Sequence, residues 1–331
     1  MMKNTTHITV DEKEAGDRID LFLSKKYQDY SRSYFNELIK NGEALLNDKI
    51  VKSSAKVKID DKVTVTFVET KKPDDRLIPE NIPLSIIYED DDVLVINKQP
   101  GLVVHPAAGN TQGTLVNALI NYFPKIQDAV IEKGNAMSES RPGLVHRLDK
   151  DTSGVIIIAK NPRSMHSLSQ HIQHRNVKKY YFAFCYNWPK NPTGHLVNYL
   201  GRNPKDRKMV AEVSQLKGKE AISDYEVVEY FKAKTGENVS LIKFDIKTGR
   251  THQIRVQAQR INCPVLGDQV YGNKESMKLS ESLHIERQML HAYQLCIPLL
   301  GESDKKCFTA DIPKDFVAVE ENLIKVVSHI R

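Results

Sequence analysis

Cysteine and tryptophan are scarce in this chain of 331 residues, which contains four cysteines and one tryptophan. The cysteines, Cys185, Cys263, Cys296 and Cys307, are far apart and form no C-x-x-C pair. This spacing argues against zinc, iron–sulfur and dithiol redox sites, and we expect four buried free thiols in a reducing compartment. The N-terminal stretch lacks the apolar segment of a signal peptide, and no later apolar run approaches the roughly 20 residues that span a bilayer. We therefore expect a cytoplasmic protein without a membrane partner.

Several catalytic motifs are absent as well. The sequence has no G-x-x-x-x-G-K-[ST] phosphate loop, no H-E-x-x-H zinc motif and no zinc-deaminase signature. The segment DTSG occurs once, whereas an aspartic protease needs two such carboxylates that share a proton. These absences argue against the corresponding enzyme classes.

The composition is that of an ordinary globular protein, with 40% hydrophobic and 27% charged residues. The formal charge of +6 is compatible with a polyanionic partner but is also common among proteins that bind none. Lysine and arginine concentrate in HRNVKKYY and GRNPKDRKMVAEVSQLKGKEA, two stretches with few acidic residues. These stretches predict basic patches that contact phosphate, the alternative being solvated charged loops.

Hydrophobic periodicity and proline placement predict two domains joined by a linker. DRIDLFLSKKY and SRSYFNELIKNG have the apolar spacing of short helices, and ALLNDKIV and DDKVTVTFV that of short strands, so residues 1–70 form a small module. Residues 71–83 combine prolines with charge and predict an exposed connection. Residues 84–331 alternate strand-like runs, such as KKYYFAFCY, ISDYEVVEYF and NVSLIKFDIK, with helices such as TLVNALINYF.

The stretch GLVHRLDKDTSG places charged residues between two apolar runs, GLV and GVIIIA. If GLVHRLD is a strand, Val145, Arg147 and Asp149 share one face. The short polar groups of DTSG are typical of a tight turn, so Asp151 is interpreted as structural. Asp149 differs, because a carboxylate at the end of a buried strand is costly to ionise without a cation or several donors.

A candidate partner for Asp149 lies in KTGRTHQIRVQAQRI. Thr251 is placed to cap a helix, and Arg255 falls in the early turns of that helix. Arg250 and His252 lie near its N-terminus, a region that suits phosphate or carboxylate. An Arg255–Asp149 pair would orient the aspartate, and residue properties alone leave open whether the pair is structural or catalytic.

With these motifs the chain resembles the RluA-type pseudouridine synthases, most closely the RluD branch that modifies large-subunit ribosomal RNA. The resemblance runs along nearly the whole chain through LSIIYEDDDVLVINKQPGLVVHPAAGN, RPGLVHRLDKDTSG, KKYYFAF, KTGRTHQIRV, PVLGDQVYG and MLHAYQL. The first 70 residues resemble the S-four RNA-binding domain. The resemblance implies an α+β fold, in which a small N-terminal α/β RNA-binding module precedes a mixed, mainly antiparallel catalytic β-sheet with flanking helices.

The resemblance also implies roles for single residues. Asp149 is the catalytic carboxylate, Tyr181 packs on the target base, Arg255 pairs with Asp149, and Arg147 helps to extrude the uridine or fills its place. Without the resemblance Tyr181 would be read as a core aromatic, and Tyr180, on the opposite strand face, is its natural control. The side chains expected to contact RNA are His146, Lys179, Arg202, Arg207, Lys208, Lys219, Arg250, His252 and Arg32.

The function expected from the resemblance is isomerisation of specific uridines in large-subunit ribosomal RNA, either free or in an assembling large subunit. The reaction involves no redox change, so we expect that it needs no metal or cofactor. The resemblance also implies a monomer. Three alternatives stay open: a sister-branch synthase for other ribosomal or transfer RNA uridines, a non-catalytic RNA-binding assembly factor, and a glycosidase or nuclease that uses Asp149 with Asp151. Whether Asp149 acts as nucleophile or as base also stays open.

Overall fold

The computed structural model describes residues 4–27, 30, 32–67, 77–106, 110–129, 141–203, 206 and 209–326. The chain divides into two compact units, Met1–Arg76 and Leu77–Arg331. Within the described ranges, no helix is both long and apolar enough to cross a membrane.

The N-terminal unit combines a three-stranded antiparallel sheet, of order β1-β3-β2, with two helices. Its elements are β1 (Asn4–Thr9), α1 (Ile19–Lys26), α2 (Arg32–Lys40), β2 (Ala44–Leu46) and β3 (Lys62–Phe67). Apolar side chains of the helices and alternate side chains of β3 meet in one core, which includes Phe22, Phe35 and Val63. Both predicted helices and both predicted strands are confirmed, whereas β1 is not indicated by its largely polar sequence, NTTHIT.

The C-terminal unit is built on one 11-stranded, mainly antiparallel sheet. The strands are β4 (Ser85–Glu89), β5 (Val93–Lys98), β6 (Ser153–Ala159), β7 (Lys178–Tyr186), β8 (Thr193–Arg202), β9 (Val210–Glu212), β10 (Lys219–Ala233), β11 (Asn238–Ile246), β12 (Leu290–Pro298), β13 (Lys305–Thr309) and β14 (Leu323–Lys325). The described helices of this unit are α3 (Leu115–Tyr122), α4 (Pro162–Gln173), α5 (Gln253–Arg260), α6 (Lys274–Ser282) and α7 (Lys314–Glu321). The expected α+β class with a mainly antiparallel sheet is confirmed.

Two apolar cores cover the two faces of this sheet. Ile156 and Ile158 of β6 face one core, and Val155 and Ile157 face the other. Because β6 is buried on both faces, it has the continuous apolar sequence SGVIIIA rather than an alternating one. The strand that follows the charged stretch therefore lies in the middle of the unit.

Strand β12 lies between β6 and β7, in the order β4-β5-β6-β12-β7-β11-β10-β8-β9. It pairs in parallel with β6, where Ala292 is opposite Gly154, and antiparallel with β7, where Ala292 is opposite Tyr181. Only glycine fits at position 154, because φ is +115° and a Cβ would lie 2.1 Å from the Ala292 carbonyl oxygen. The start of β6 and Tyr181 are thus held two strands apart.

Cys296 on β12 and Cys307 on β13 are directly opposite each other and form a disulfide, with their Cα atoms 4.0 Å apart. Cys185 and Cys263 are buried free thiols. The expectation of four free thiols is therefore wrong for one pair, because the register of two strands cannot be read from the spacing of the cysteines.

Residues 77–83, expected as part of the exposed connection, contact the C-terminal unit. Leu77 and Ile82 pack against the larger core, and Asn117 Nδ2 donates to the Ile78 carbonyl at 2.8 Å. Residues 71–76 of the expected connection lie outside the described residues.

Candidate active site

Residues 144–152 form an irregular loop, and regular strand pairing begins only at Ser153. The interpretation of GLVHRLD as a strand is therefore wrong. His146 gives the physical reason, because its Nε2 accepts the backbone N–H of Ile157 at 3.0 Å, as a neighbouring strand's carbonyl would. Burial lowers the pKa of His146 to about 3, so the ring is neutral and available as an acceptor.

Asp149 reaches from this loop into a cleft of about 370 Å³. Its side chain is 19% exposed, and its Oδ2 accepts from Arg255 Nη1 at 3.1 Å. His252 Nε2 lies 3.9 Å from the same oxygen. Among the described residues no hydrogen-bond donor contacts the other oxygen, Oδ1. One carboxylate oxygen is thus oriented while the other is left without a protein partner.

Arg255 is itself fixed by a second carboxylate. Its Nε and Nη2 donate to the two oxygens of Asp268 at 2.7 and 2.8 Å. Asp268 is fully buried, and its Oδ1 also accepts the backbone N–H groups of Val270 and Tyr271, both at 3.0 Å. Burial alone would lower the pKa of Arg255, but the bonds and the charge of Asp268 outweigh burial and raise it. The guanidinium that faces Asp149 is therefore permanently charged.

Helix α5, which carries Arg255, is not capped by Thr251 as expected. His252 occupies the N-cap position with φ at +55° and makes no side-chain cap bond. Gln253 provides the anchor instead: its Oε1 accepts the Arg250 N–H at 3.1 Å and the Thr248 hydroxyl at 2.8 Å, and its Nε2 donates to strand β10. This buried amide sets the start of the helix.

His252 connects the site to Tyr271. The Nδ1 atom of His252 lies 2.8 Å from the Tyr271 hydroxyl, which accepts the Val210 N–H at 3.0 Å. Burial lowers the pKa of His252, although the charge of Asp149 opposes this shift. The Tyr271 hydroxyl can donate its proton to Nδ1 when the imidazole carries its own proton on Nε2, the ring nitrogen nearer to Asp149.

Tyr181 is buried in the larger core, opposite Phe244 of β11. Burial, and then the charge of Asp149, raise the pKa of Tyr181, so the side chain remains a neutral phenol. Tyr180 lies on the other face, where Lys243 Nζ is 5.0 Å from its ring centroid. The structure therefore brings Asp149 and Arg255 into contact, whereas Tyr181 does not belong to the lining of the cleft and is linked to Asp149 through charge.

Arg147 lines the same cleft and is exposed. It makes no hydrogen bond or ion pair with the described residues, so its guanidinium is available to a substrate. Burial, followed by the positive charges of Arg141 and Arg147, lowers the pKa of His105 to about 4. The positive charges of Arg141 and Arg147 therefore both act on His105.

The cleft as a whole has charged walls of both signs. Its lining residues are Arg147, Asp149, Lys150, Asp151, His252, Arg255, Gly267, Gln269, Val270, Glu286, Arg287 and Gln288. Among the residues that the structure describes, no group of three or more His, Cys, Asp or Glu side chains could hold a metal ion.

The expected RNA contacts differ in exposure. Arg202 and Lys219 are exposed on β8 and β10, while Arg207 and Lys208 lie outside the described residues. Arg250 is half-buried and donates from Nε to the Glu220 carbonyl at 2.9 Å.

Two further candidates for RNA contact, Lys179 and Arg32, interact with acidic residues of the protein. Lys179 is buried, and this burial lowers its pKa to about 8, against the opposing charge of Asp245. In the N-terminal unit, Arg32 Nε donates to Asp20 at 3.0 Å. His146 is held by Ile157 as described above, so its ring is committed within the fold.

A family model for RNA pseudouridylate synthases matches residues 92–260, which include Asp149, Tyr181 and Arg255. This chain belongs to that family. An uncharacterized RNA pseudouridine synthase of Chlorobaculum parvum is 38% identical, with 94% of this chain and 95% of the relative covered. Ribosomal large subunit pseudouridine synthase D of Neisseria meningitidis serogroup A is 37% identical, with 95% and 80% covered.

A solved structure of human RNA pseudouridylate synthase domain containing 1 is similar, with 26% identity and a TM-score of 0.57. The similarity covers 75% of this chain and 90% of the human one. The protein is therefore a pseudouridine synthase of the RluA type, an isomerase. Sequence reasoning missed Asp268 and Tyr271, although both lie in PVLGDQVYG, one of the segments that carried the resemblance.

Proposed function

We propose that this pseudouridine synthase isomerises uridines of large-subunit ribosomal RNA, with Asp149 as the catalytic carboxylate. The role of Asp149 is inferred from the different surroundings of its two oxygens. Arg255 donates to Oδ2, whereas Oδ1 has no donor among the described residues. Support for the RNA class comes from relatives named ribosomal large subunit pseudouridine synthase D, which match 95% of the chain in Neisseria meningitidis.

The chemistry requires one anionic group at the sugar. The bond between N1 of uracil and C1′ of ribose breaks, the base turns, and C5 bonds to C1′ while the C5 proton is lost and N1 gains a proton. Asp149 acts at the ribose, either as a nucleophile at C1′ or as a proton acceptor. Arg255 fixes the angle of the carboxylate without occupying Oδ1.

The target base must leave its stack before it reaches Asp149, which costs roughly a few kcal/mol. Tyr181 recovers part of this cost by packing against the extruded base. Arg147, which has no described protein partner, enters the space that the base leaves. His252 Nε2 lies 3.9 Å from Asp149 Oδ2, so the ring is placed beside the bound nucleotide.

Phosphate contacts around the cleft hold the RNA in register. Exposed Arg202 and Lys219 are the first candidates, followed by half-buried Arg250, buried Lys179 and the cleft residue His252. Arg207 and Lys208 belong to the same basic stretch, GRNPKDRKM. The N-terminal unit is proposed to bind RNA as an S-four-like domain, with half-exposed Arg32 on its surface.

Pseudouridine mapping tests this proposal. Ribosomal RNA from a strain lacking the protein is compared, by carbodiimide treatment and primer extension, with RNA from strains that carry wild type, Asp149→Asn or Asp151→Asn. We expect specific large-subunit signals to disappear in the deletion strain. They should return with wild type and with Asp151→Asn, since the Asp151 side chain makes no hydrogen bond or ion pair with the described residues, but not with Asp149→Asn.

Other outcomes separate the alternatives. Normal signals with Asp149→Asn would overturn the catalytic role of this carboxylate. An unchanged ribosomal map would direct the same experiment to transfer RNA. Loss of activity in both variants, with release of free uracil or cut RNA, would indicate a glycosidase or nuclease instead.

A further inference from the structure

Arg287, just before β12, binds the backbone of the loop that carries Asp149. Its Nη1 donates to the Asp151 carbonyl at 2.9 Å and to the Gln288 carbonyl at 3.0 Å. Nη2 lies 3.4 Å from the Ser153 hydroxyl, at the first residue of β6. The side chain is only 10% exposed, and it forms part of the cleft wall beside the loop.

The other edge of the guanidinium is occupied by Asp315 in the first turn of α7. Nε and Nη2 donate to the two Asp315 oxygens at 2.6 and 2.8 Å, and the Phe316 ring lies 5.7 Å from Cζ. A planar guanidinium can form this fork and still donate to backbone carbonyls, whereas a lysine ammonium cannot reproduce the geometry. Arg287 thus ties the loop to a helix that is distant in sequence.

Lys98 at the end of β5 binds the preceding carbonyl of the same loop. Its buried Nζ donates to the Lys150 carbonyl at 2.9 Å and to the Leu102 carbonyl at 3.0 Å. The carbonyls of Lys150 and Asp151 are therefore each bound by a basic side chain, Lys98 at the end of β5 and Arg287 just before β12. Asp149 itself closes the turn, because its carbonyl accepts the Thr152 N–H at 3.2 Å.

We propose that Arg287 is a positioning residue of this active site: by holding the Asp151 carbonyl against α7, it fixes the turn from which Asp149 reaches the substrate. This role rests on the proposed function of Asp149. Misplacement of a catalytic group by about 1 Å can cost on the order of a hundredfold in rate. Arg287 therefore acts on the rate of the chemical step rather than on RNA affinity.

The test compares Arg287→Lys and Asp315→Asn with wild type in the full chain. Single-turnover pseudouridine formation and RNA affinity are measured on ribosomal RNA from the strain lacking the protein. We expect Arg287→Lys to slow the step by about ten- to a hundredfold, with the dissociation constant unchanged within about threefold. Asp315→Asn, which keeps the carbonyl bond but weakens the fork, should give a smaller loss.

Arg260→Lys is the matched control. Arg260 also bonds one carboxylate and one carbonyl, those of Glu212 and Val197, but it is half-exposed and does not contact the catalytic loop. It should keep the wild-type rate. Hydrogen exchange of the peptide covering residues 149–153 provides a second readout, which should speed up in Arg287→Lys and Asp315→Asn but not in Arg260→Lys.

Wild-type rate and wild-type exchange in Arg287→Lys would overturn the proposal, as would a loss confined to RNA affinity. If Arg287→Lys fails to fold, the single-turnover rate and the hydrogen exchange of Asp315→Asn test the proposal instead. If wild type itself forms no pseudouridine, the proposed function fails, while the exchange comparison still shows whether Arg287 holds the loop.

Discussion

In the N-terminal unit, Asp20 is 1% exposed. Its Oδ1 accepts from Arg18 and its Oδ2 from both Arg18 and Arg32, whose side chains are about half-exposed. In the C-terminal unit the arrangement is reversed: Arg255 is buried between two carboxylates, and only Asp149 is partly exposed. In the first cluster both carboxylate oxygens accept hydrogen bonds, so Asp20 is held within the fold. In the second, all three guanidinium nitrogens donate to carboxylates, and one Asp149 oxygen is left without a donor among the described residues.

Removing an arginine from each cluster should give the largest difference between them, measured as the loss in the free energy of unfolding. Arg255→Met leaves fully buried Asp268 without its cation, and we expect the free energy of unfolding to fall by about 3–5 kcal/mol. Arg32→Met leaves Asp20 paired with Arg18 and removes a half-exposed side chain, so we expect at most about 1 kcal/mol.

Unfolding in urea measures the first change through Trp188, the single tryptophan, whose Nε1 bonds the Phe231 and Val239 carbonyls of the C-terminal unit. Hydrogen exchange of β1 and α1 measures the second. Equal losses in the two variants would contradict the distinction between the clusters.

Replacing Tyr181 should have the next largest effect, which is on the rate of pseudouridine formation. We expect Tyr181→Leu to slow pseudouridine formation by about ten- to a hundredfold, because base–aromatic stacking is worth about 1–3 kcal/mol. Tyr181→Phe keeps the ring and should keep most of the rate. Tyr180→Leu, on the opposite face, is the control, and a loss of equal size there would show that packing rather than stacking is measured.

Acid should weaken the Asp20 cluster. Burial favours the protonated carboxyl, but hydrogen bonds from Arg18 and Arg32 outweigh burial and lower the pKa of Asp20. The stabilisation is therefore present above the unfolded-state pKa of about 3.9 and is lost as the pH falls towards the folded-state pKa. The stability of α1, measured by hydrogen exchange, should therefore differ between wild type and Asp20→Asn at neutral pH, and the difference should shrink as the pH falls. A difference that does not change with pH would argue against this linkage.

The smallest effect should come from replacing exposed basic residues that belong to neither cluster. Replacing Arg202 and Lys219 with Gln should weaken RNA binding and reduce the slope of log K against log salt by about one unit per lost phosphate contact. The rate of bound complexes should stay unchanged. An unaltered slope would mean that this face of β8 and β10 does not contact phosphate.

Much of the sheet was predictable from sequence because its signals are local. KKYYFAFCY and NVSLIKFDIK form β7 and β11 as their apolar patterns indicate, and TLVNALINYF contains α3 with Thr114 as its cap. The loop before β6 was not predictable, because the group that replaces a strand neighbour is the side chain of His146. Nothing in local periodicity distinguishes such a ring from a strand residue.

The site was predictable in part for a similar reason. The chemical need of Asp149 for a cation pointed to Arg255, and the pair forms at 3.1 Å. Asp268 was not identified, because its role depends on a turn in which backbone N–H groups and Arg255 converge on one carboxylate. The disulfide between Cys296 and Cys307 depends on strand register in the same way.

The position of β12 also sets the order in which this enzyme can be completed during synthesis. Asp149 lies in the loop before β6, next to the part of the sheet formed by β4, β5 and β6. Tyr181 lies on β7 and Arg255 on α5, both later in the chain, and β12 is the strand between β6 and β7. Residues 290–298 leave the ribosome after every one of these side chains. A growing chain that already contains all three still lacks the strand between β6 and β7, so we expect pseudouridine formation to begin only after residues 290–298 have inserted into the sheet.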